Sequence, residues 1–465
     1  MYDPLKHQSP GQNEPYPQSY WAEHSGDAPQ DDGSINNDIE VDVAIIGAGY
    51  TALSCAIHLA KDHNIKAHII EANQTAWGCS GRNAGFILKS TGRKPYSSMI
   101  KKWGIEVAKG IYNETCEGVE TVNSLILDTN IDCQPQSKGY LRVAHKPSMM
   151  AGLISQSKML KEQFDYSCEI LTQEQIKAEY FNSQNAYGAI KFNDGYGINP
   201  LKLAWGYQKY ARELGAKIHT GSPVTSFQNV GHGSDSDSNS NSNSNSNSNS
   251  KQKLITPNGI VTAKKVVIAT NGYTPQGFHS SVNNRTLPVL SQIIVTKPLT
   301  QQQLTEANFL SDNVVMDTRA LKYYFRKLPD NRILFGGRGA ISGKDADDPY
   351  FANRLLKMLK VSFPALDNIE YDYSWSGWIS ISLDDLPHIC QAEDNKNIFY
   401  SMGYCGNGVS FAVQAGKRLA QKIAGLEMPD LPYFNKQLPL FPFAKFRRVG
   451  QWGYFHYGKI KDQFF

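Results

Sequence analysis

The sequence lacks any pair of cysteines at metal-binding or redox spacing. Its seven cysteines, Cys55, Cys79, Cys116, Cys133, Cys168, Cys390 and Cys405, are odd in number, lie far apart and form no CxxC. A zinc ribbon is excluded and a disulfide framework has no basis, so reduced thiols and no metal centre are expected. There is no apolar run of the ~18 residues that a membrane span needs. Residues 1–20, polar and proline-rich, have no apolar core of the signal-peptide kind. A surplus of either charge is also missing. Lys and Arg number 47 against 43 Asp and Glu, with no long basic block, so no nucleic-acid partner is expected. These absences describe a cytoplasmic protein, and its 465 residues are enough for two domains.

What is present begins at residue 41. Residues 41–46, VDVAII, are a short β-branched run suited to a strand buried on both faces of a parallel sheet. Gly47-Ala48-Gly49-Tyr50-Thr51-Ala52 follows, then helical periodicity through Cys55, Ala56 and Leu59, then a second strand from Lys66 to Glu71. In such a unit Gly47 allows the tight turn. Gly49 lets the backbone approach a pyrophosphate, which the helix N-terminus favours electrostatically. Ala52 stands at the third glycine position, where helix and strand pack closely. Glu71 closes the second strand 24 residues after Gly47, against the ~20 expected for the acid that takes ribose hydroxyls. Four features in register specify a dinucleotide site, but they do not separate FAD from NAD.

Helical periodicity recurs over 96–130, with Ile105, Ala108, Ile111, Val119, Val122 and Leu125 as inward positions, and again over 203–214, 351–362 and 409–424. Strand-like runs occupy 287–296, the stretch around Tyr323 to Arg326, and 332–337, and residues 371–382 and 397–409 lead back to the last helix. Residues 1–38 read as a flexible extension with Tyr20-Trp21 as an anchor. Residues 233–250, alternating Ser and Asn, cannot bury apolar area, so disorder is expected there. The position, between two strand-like stretches, suggests an expanded hairpin tip, which costs little because loop-closure entropy rises slowly with length.

The segment Gly78-Cys79-Ser80-Gly81-Arg82-Asn83-Ala84-Gly85-Phe86 resembles the GxSGRNGG segment of the D-amino-acid-oxidase-like superfamily of FAD enzymes, and within it the gamma-glutamylputrescine oxidase group. The resemblance extends to SPVTSF around Val224, to Ala269-Thr270-Asn271-Gly272, and to Gly403-Tyr404-Cys405-Gly406-Asn407-Gly408, so it covers most of residues 19–465. It departs at Ala84, where the group has Gly, and at Asn407, where the group has His. It implies an α/β fold with a Rossmann-like FAD-binding domain from 39–95, 196–286 and 376–428. It further implies a mixed-sheet substrate domain from 96–195 and 287–375, and a tail, 429–465, packed on the body. Some relatives attach flavin covalently through Cys or His, but neither Cys79 nor Cys405 matches a linkage motif, so non-covalent FAD is expected. Ser80, Gly81, Arg82 and Asn83 would lie along the pyrophosphate and toward the flavin, and Val224 near adenine. Ala269 and Thr270 would close over the cofactor. Gly403, Gly406, Asn407, Gly408 and Val409 would lie beneath the flavin pyrimidine, opening a helix whose dipole favours negative charge there.

On the substrate side, the family places a Tyr–Arg pair on the sheet over the flavin. Tyr324 and Arg326, two residues apart in an extended run, project on one face, and the Arg fork binds a carboxylate bidentately. Arg332 and Arg338 are further candidates, while Trp375, Trp378 and His388 read as structural. The resemblance implies oxidation of a primary or secondary amine by hydride transfer to flavin N5. Imine hydrolysis to an aldehyde or oxo acid follows, then reoxidation by O₂ giving H₂O₂. A gamma-glutamylputrescine-type substrate in polyamine breakdown is expected. A D-amino-acid dehydrogenase, a sarcosine-like oxidase and a non-catalytic FAD-binding module are the alternatives. The aromatic and basic C-terminal stretch is expected to pack on the body rather than meet a membrane.

Overall fold

The computed structural model describes residues 1–229 and 251–464. The strand Ile39–Ile46 is buried continuously from Val43 onward, because its apolar run offers no polar face to solvent. It pairs in parallel with Gly259–Ile268 on one side and Ala67–Ile70 on the other. The sheet runs His388–Gln391, Ile398–Met402, Gly259–Ile268, Ile39–Ile46, Ala67–Ile70, Lys217–His219, parallel except for its first strand. The helix Tyr50–His63 follows the central strand, and Gly408–Ile423 lies against that helix. The approach is close: a Cβ on Gly416 would stand 2.5 Å from the Thr51 carbonyl oxygen.

The helical pattern of residues 96–130 is two helices, Tyr96–Trp103 and Ile105–Thr129, divided where Gly104 takes φ +83°. The longer one packs on Gly408–Ile423, through Thr121 Oγ1 donating to Gln414 Oε1 at 2.8 Å and the Arg418–Glu114 ion pair. It therefore supports the first sheet, although it falls in the stretch assigned above to the substrate domain.

The second sheet runs Tyr371–Ser382, Thr286–Thr296, Ile333–Arg338, Tyr324–Lys327, Val314–Asp317, Tyr140–Val143, Gly188–Phe192, Glu169–Thr172. Its pairs are antiparallel except Val314–Asp317 with Tyr140–Val143. Strand alternation gives it two unlike faces. Leu141, Ile294, Val315 and Phe335 enter an apolar core covered by the helix Pro349–Ser362. Arg142, Met316 and Tyr324 point the other way, into a cavity shared with the first sheet.

Residues 1–38 are not a flexible extension. Trp21 is 1% exposed and its Nε1 donates to the Asn83 carbonyl at 2.9 Å. Tyr16 Oη donates to the Thr75 carbonyl at 2.6 Å, and Asp3 Oδ2 accepts from the Gly343 N–H at 2.9 Å. The segment has little periodic structure of its own, so composition hides its packing: Tyr2, Tyr16 and Trp21 each donate to a backbone carbonyl of the body, and Tyr20 is buried beside Trp21. Strands Ser226–Asn229 and Gln252–Thr256 pair antiparallel. The Ser/Asn run between them, with its expected disorder, lies outside the described residues. Among the described residues no helix is long and apolar enough to cross a membrane, and no cluster of His, Cys, Asp and Glu could hold a metal ion.

Candidate active site

A cavity of about 630 Å³ lies between the two sheets. Gly47, Ala48, Gly49, Tyr50 and Thr51 form one wall with Glu71, Ser80 and the stretch Gly406–Val409. Gly47 has φ +97°, which a side chain would strain, and a Cβ there would sit 3.2 Å from the Ala269 carbonyl oxygen. Glu71 Oε2 accepts from the Ala48 N–H at 2.7 Å and Oε1 from the Asn73 N–H at 2.9 Å. Burial raises the Glu71 pKa above the usual carboxylate range, while these N–H groups pull it back. The Tyr50 N–H donates to Ser80 Oγ at 3.0 Å and so ties the glycine loop to the 78–86 segment. The helices Tyr50–His63 and Gly408–Ile423 both begin at this wall without a side-chain cap. Their N-terminal dipoles are thus directed to an anion. Nothing lies within 4 Å of a Cβ built on Gly406 or Gly408, so backbone there is open to a flat ligand.

Arg82 lines the cavity with its guanidinium over the Trp77 ring at 4.4 Å and its Nε donating to the Trp77 carbonyl at 2.7 Å. Asn83 also lines it, but its side chain holds the loop. Nδ2 donates to the Cys79 and Ser80 carbonyls, and Oδ1 accepts from the Gly85 N–H at 2.7 Å. Val224, Ala269 and Thr270 complete this wall, joined by Pro10 from the N-terminal segment.

The opposite wall is the polar face of the second sheet. Strand register sets Arg142 beside Met316, Met316 beside Tyr324, and Tyr324 beside Gly336. Gly336 must lack a side chain, since a Cβ would fall 2.1 Å from the Tyr324 ring. Tyr324 Oη and Ser291 Oγ share a hydrogen bond of 2.7 Å, and Ser291 stands opposite Arg338. Arg142, Lys322 and Arg338 all line the cavity. Arg142 donates to Gln156 Oε1 at 2.8 Å, and Arg338 Nε is buried with no hydrogen-bond partner. Among the described residues none of the three has an ion-pair partner, and Lys322 has no hydrogen-bond partner. The nearby Arg93 and Arg319 differ, being paired with Asp385 and Asp317. Burial pushes Lys322 down to about 8, helped by the charges of Arg142, Arg338 and Arg93. Burial lowers Arg142 and Arg338 too.

Five residues chosen from the sequence do not reach the cavity, and one of them, Arg332, is paired instead with Asp330 and Asp372. Ala52 is fully buried in helix packing. A Cβ on Gly81 would meet the Ala76 carbonyl oxygen at 2.4 Å, so that glycine serves packing. Gly403, at φ +82°, donates its N–H to Asn271 Oδ1 at 3.1 Å. Arg326 is the substantive correction. It shares the face of Tyr324, but two residues farther along it lies under the 78–86 loop. Its guanidinium donates to the carbonyls of Ala84 (2.9 Å) and Ile198 (2.5 Å) and to Gln136 Oε1 (2.5 Å). Its Nε is buried without a partner, and the side chain does not line the cavity, so the guanidinium serves the packing of the loop rather than a substrate carboxylate. No local sequence signal marks Arg142 or Lys322: Arg142 stands alone in YLRV, a strand too short to signal itself, and Lys322 lies in the irregular connection between Val314–Asp317 and Tyr324–Lys327. Trp375 and Trp378 are buried, their Nε1 groups donating to the carbonyls of Arg82 and Tyr2 at 2.8 Å.

The sequence matches the family described as FAD dependent oxidoreductase over residues 42–422. The chain belongs to that family. It is 30% identical to the gamma-glutamylputrescine oxidoreductase of Escherichia coli (strain K12) across 88% of this chain and 89% of that one. Among solved structures, glycine oxidase from Geobacillus kaustophilus superposes with TM-score 0.65 at 19% identity, covering 86% of this chain and 99% of that one. The L-amino acid deaminase from Proteus vulgaris gives 0.68 at 14%, covering 88% and 99%. These two likenesses show the shared fold.

FAD is therefore the cofactor, and the cavity suits it. The uncapped helix ends and Gly47–Thr51 suit a pyrophosphate, Glu71 a ribose, and the open backbone at Gly406–Gly408 a ring. When bound, FAD supplies the hydride acceptor. The protein's share is to position a substrate against it and to keep water out.

Proposed function

We propose that the chain oxidises an amine that also carries a carboxylate, with a gamma-glutamylputrescine-type molecule as substrate in polyamine breakdown. One observation carries this reading: Arg142, Lys322 and Arg338 face the FAD cavity, and none of them has an ion-pair partner among the described residues. Buried cations of this kind call for an anionic ligand. Held by its carboxylate there, the substrate leaves its amine to Tyr324. Burial pushes the Tyr324 hydroxyl up to about 12, so it stays protonated and can orient the amine. The ammonium must lose a proton before its neighbouring carbon can yield a hydride. The imine then hydrolyses to an aldehyde, and O₂ takes the electrons to give H₂O₂. FAD is held non-covalently in this reading, because burial pushes the thiols of Cys79 and Cys405 up to about 11 and about 12, against the thiolate that a linkage requires. The reaction takes place in the cytoplasm.

A peroxide assay over an amine panel tests the reading. Gamma-glutamylputrescine should be oxidised rapidly, and D-amino acids and sarcosine slowly. The Arg142→Ala and Arg338→Ala variants should each raise KM for the carboxylate-bearing substrate at least about tenfold and leave KM for putrescine, which has no carboxylate, unchanged. Oxidation of D-amino acids or sarcosine alone would replace the reading with an amino-acid oxidoreductase. No turnover of any amine would leave an FAD-binding module.

A further inference from the structure

The C-terminal helix Arg447–Phe464 has one face on the body and one that none of the described residues covers. The inner face is firmly tied. Arg447 Nη1 donates to the Thr286 carbonyl at 2.5 Å and Arg448 pairs with Asp3 at 2.9 Å. Asp462 accepts the N–H groups of Ala320 and Leu321 at 2.6 and 3.0 Å. Gly458 lies so close that a Cβ would meet Leu321 at 2.8 Å. The outer face, with the turn before it, shows Phe443, Phe446, Val449, Trp452, Tyr457 and Ile460, each more than half exposed and Phe443 84% exposed. Their spacing of three to five residues makes a single stripe along the helix. Such a row is far from the isolated apolar side chains that ordinary surfaces carry.

Charge identifies the occupant. Lys445, Lys459 and Lys461 are exposed beside the stripe. Residues 440–465 have five Lys and Arg side chains and one acidic side chain, Asp462, which is spent on backbone N–H groups. A second copy docked face to face would set these lysines against their own counterparts. An anionic surface would neutralise them while its apolar interior received the aromatic stripe. We infer that this helix docks the protein on an anionic phospholipid surface, lying in the interface plane with Phe446 and Trp452 inserted and the lysines at the headgroups. The helix lends Tyr454 and Lys461 to the cavity wall, so docking holds the substrate end of the cavity at the lipid.

Flotation of the FAD-loaded full chain with vesicles tests this. Vesicles of phosphatidylcholine with phosphatidylglycerol should carry the protein, and vesicles of phosphatidylcholine alone should not. Raising the salt from about 50 mM to about 500 mM should release most of it, because screening then reaches within a few ångströms. Phe446→Ser with Trp452→Ser should lower the bound fraction about fivefold or more, with FAD content and amine oxidation in solution unchanged. Lys445→Glu with Lys459→Glu should abolish the preference for anionic vesicles. Equal binding to both vesicle types, or flotation with neither, overturns the inference. So does a dimer in sedimentation that the Phe446→Ser/Trp452→Ser pair dissociates while neither vesicle binds, since the face would then belong to a second copy.

Discussion

Arg326 shows how far a single residue can be read from its neighbours. Strand alternation correctly groups it with Tyr324, but alternation does not say which end of the face opens on the cavity. At 2% exposure its charge is stabilised by two carbonyls and Gln136, and burial still pulls its pKa down to about 9. Arg326→Ala should therefore act on stability: two carbonyls and an amide lose their donor in the interior, at about 3 kcal/mol together. Urea unfolding should register this loss. A raised KM for carboxylate substrates with an unchanged unfolding midpoint would return Arg326 to the substrate site. His388 makes the opposite case, of a structural reading argued from sequence and then given partners. Burial opposes its charge, but Asp384 Oδ1 at 3.1 Å and the Lys436 carbonyl at 2.9 Å hold its pKa up to about 9. A pKa raised above the unfolded value of ~6.5 gives stability that is complete below that pH and is lost as pH rises through about 9. Native protein should thus lose on the order of 2 kcal/mol more than His388→Gln between those limits. Parallel stability curves for the two proteins would refute the ion pair.

At the scale of elements, what carries a period was legible and what does not was hidden. The helices Pro200–Glu213, Pro349–Ser362 and Gly408–Ile423 lie where their apolar spacing puts them, and the glycine loop stands between strand and helix. The N-terminal segment has no such period, and its polar, proline-rich composition points to flexibility. In the structure it is a strap across the end of the second strand of the first sheet. The Asn13 N–H donates to the Ala72 carbonyl at 3.2 Å, the Glu14 N–H to Asn73 Oδ1 at 2.9 Å, and Gln12 Nε2 to the Gly221 carbonyl at 2.8 Å. Pro10 thereby joins Glu71 on the cavity wall. Removing residues 2–17 should hasten FAD release at least about tenfold, equivalent to ~1.4 kcal/mol, with far-ultraviolet circular dichroism unchanged. Unaltered FAD retention in the truncated protein would show that the strap only decorates the surface.

In the whole molecule, the site belongs to neither sheet alone. Its cofactor wall comes from local motifs, which is why the sequence displays it. Its substrate wall joins Tyr140–Val143 to Val314–Asp317, strands far apart in the chain, and no local pattern records that pairing. A ligand that fills the space between two such walls binds the folded state only, so its binding energy adds to folding stability. At free FAD about 100 times its Kd, unfolding should cost ~2.7 kcal/mol more than in FAD-stripped protein, with each further tenfold of FAD adding ~1.4 kcal/mol. Calorimetry over an FAD series checks this, and Arg142→Ala should follow the same line because the ligand proposed for it is a substrate carboxylate and not FAD. A melting temperature indifferent to FAD, in protein shown by fluorescence to bind it, would mean that the unfolded chain binds FAD as tightly as the folded one.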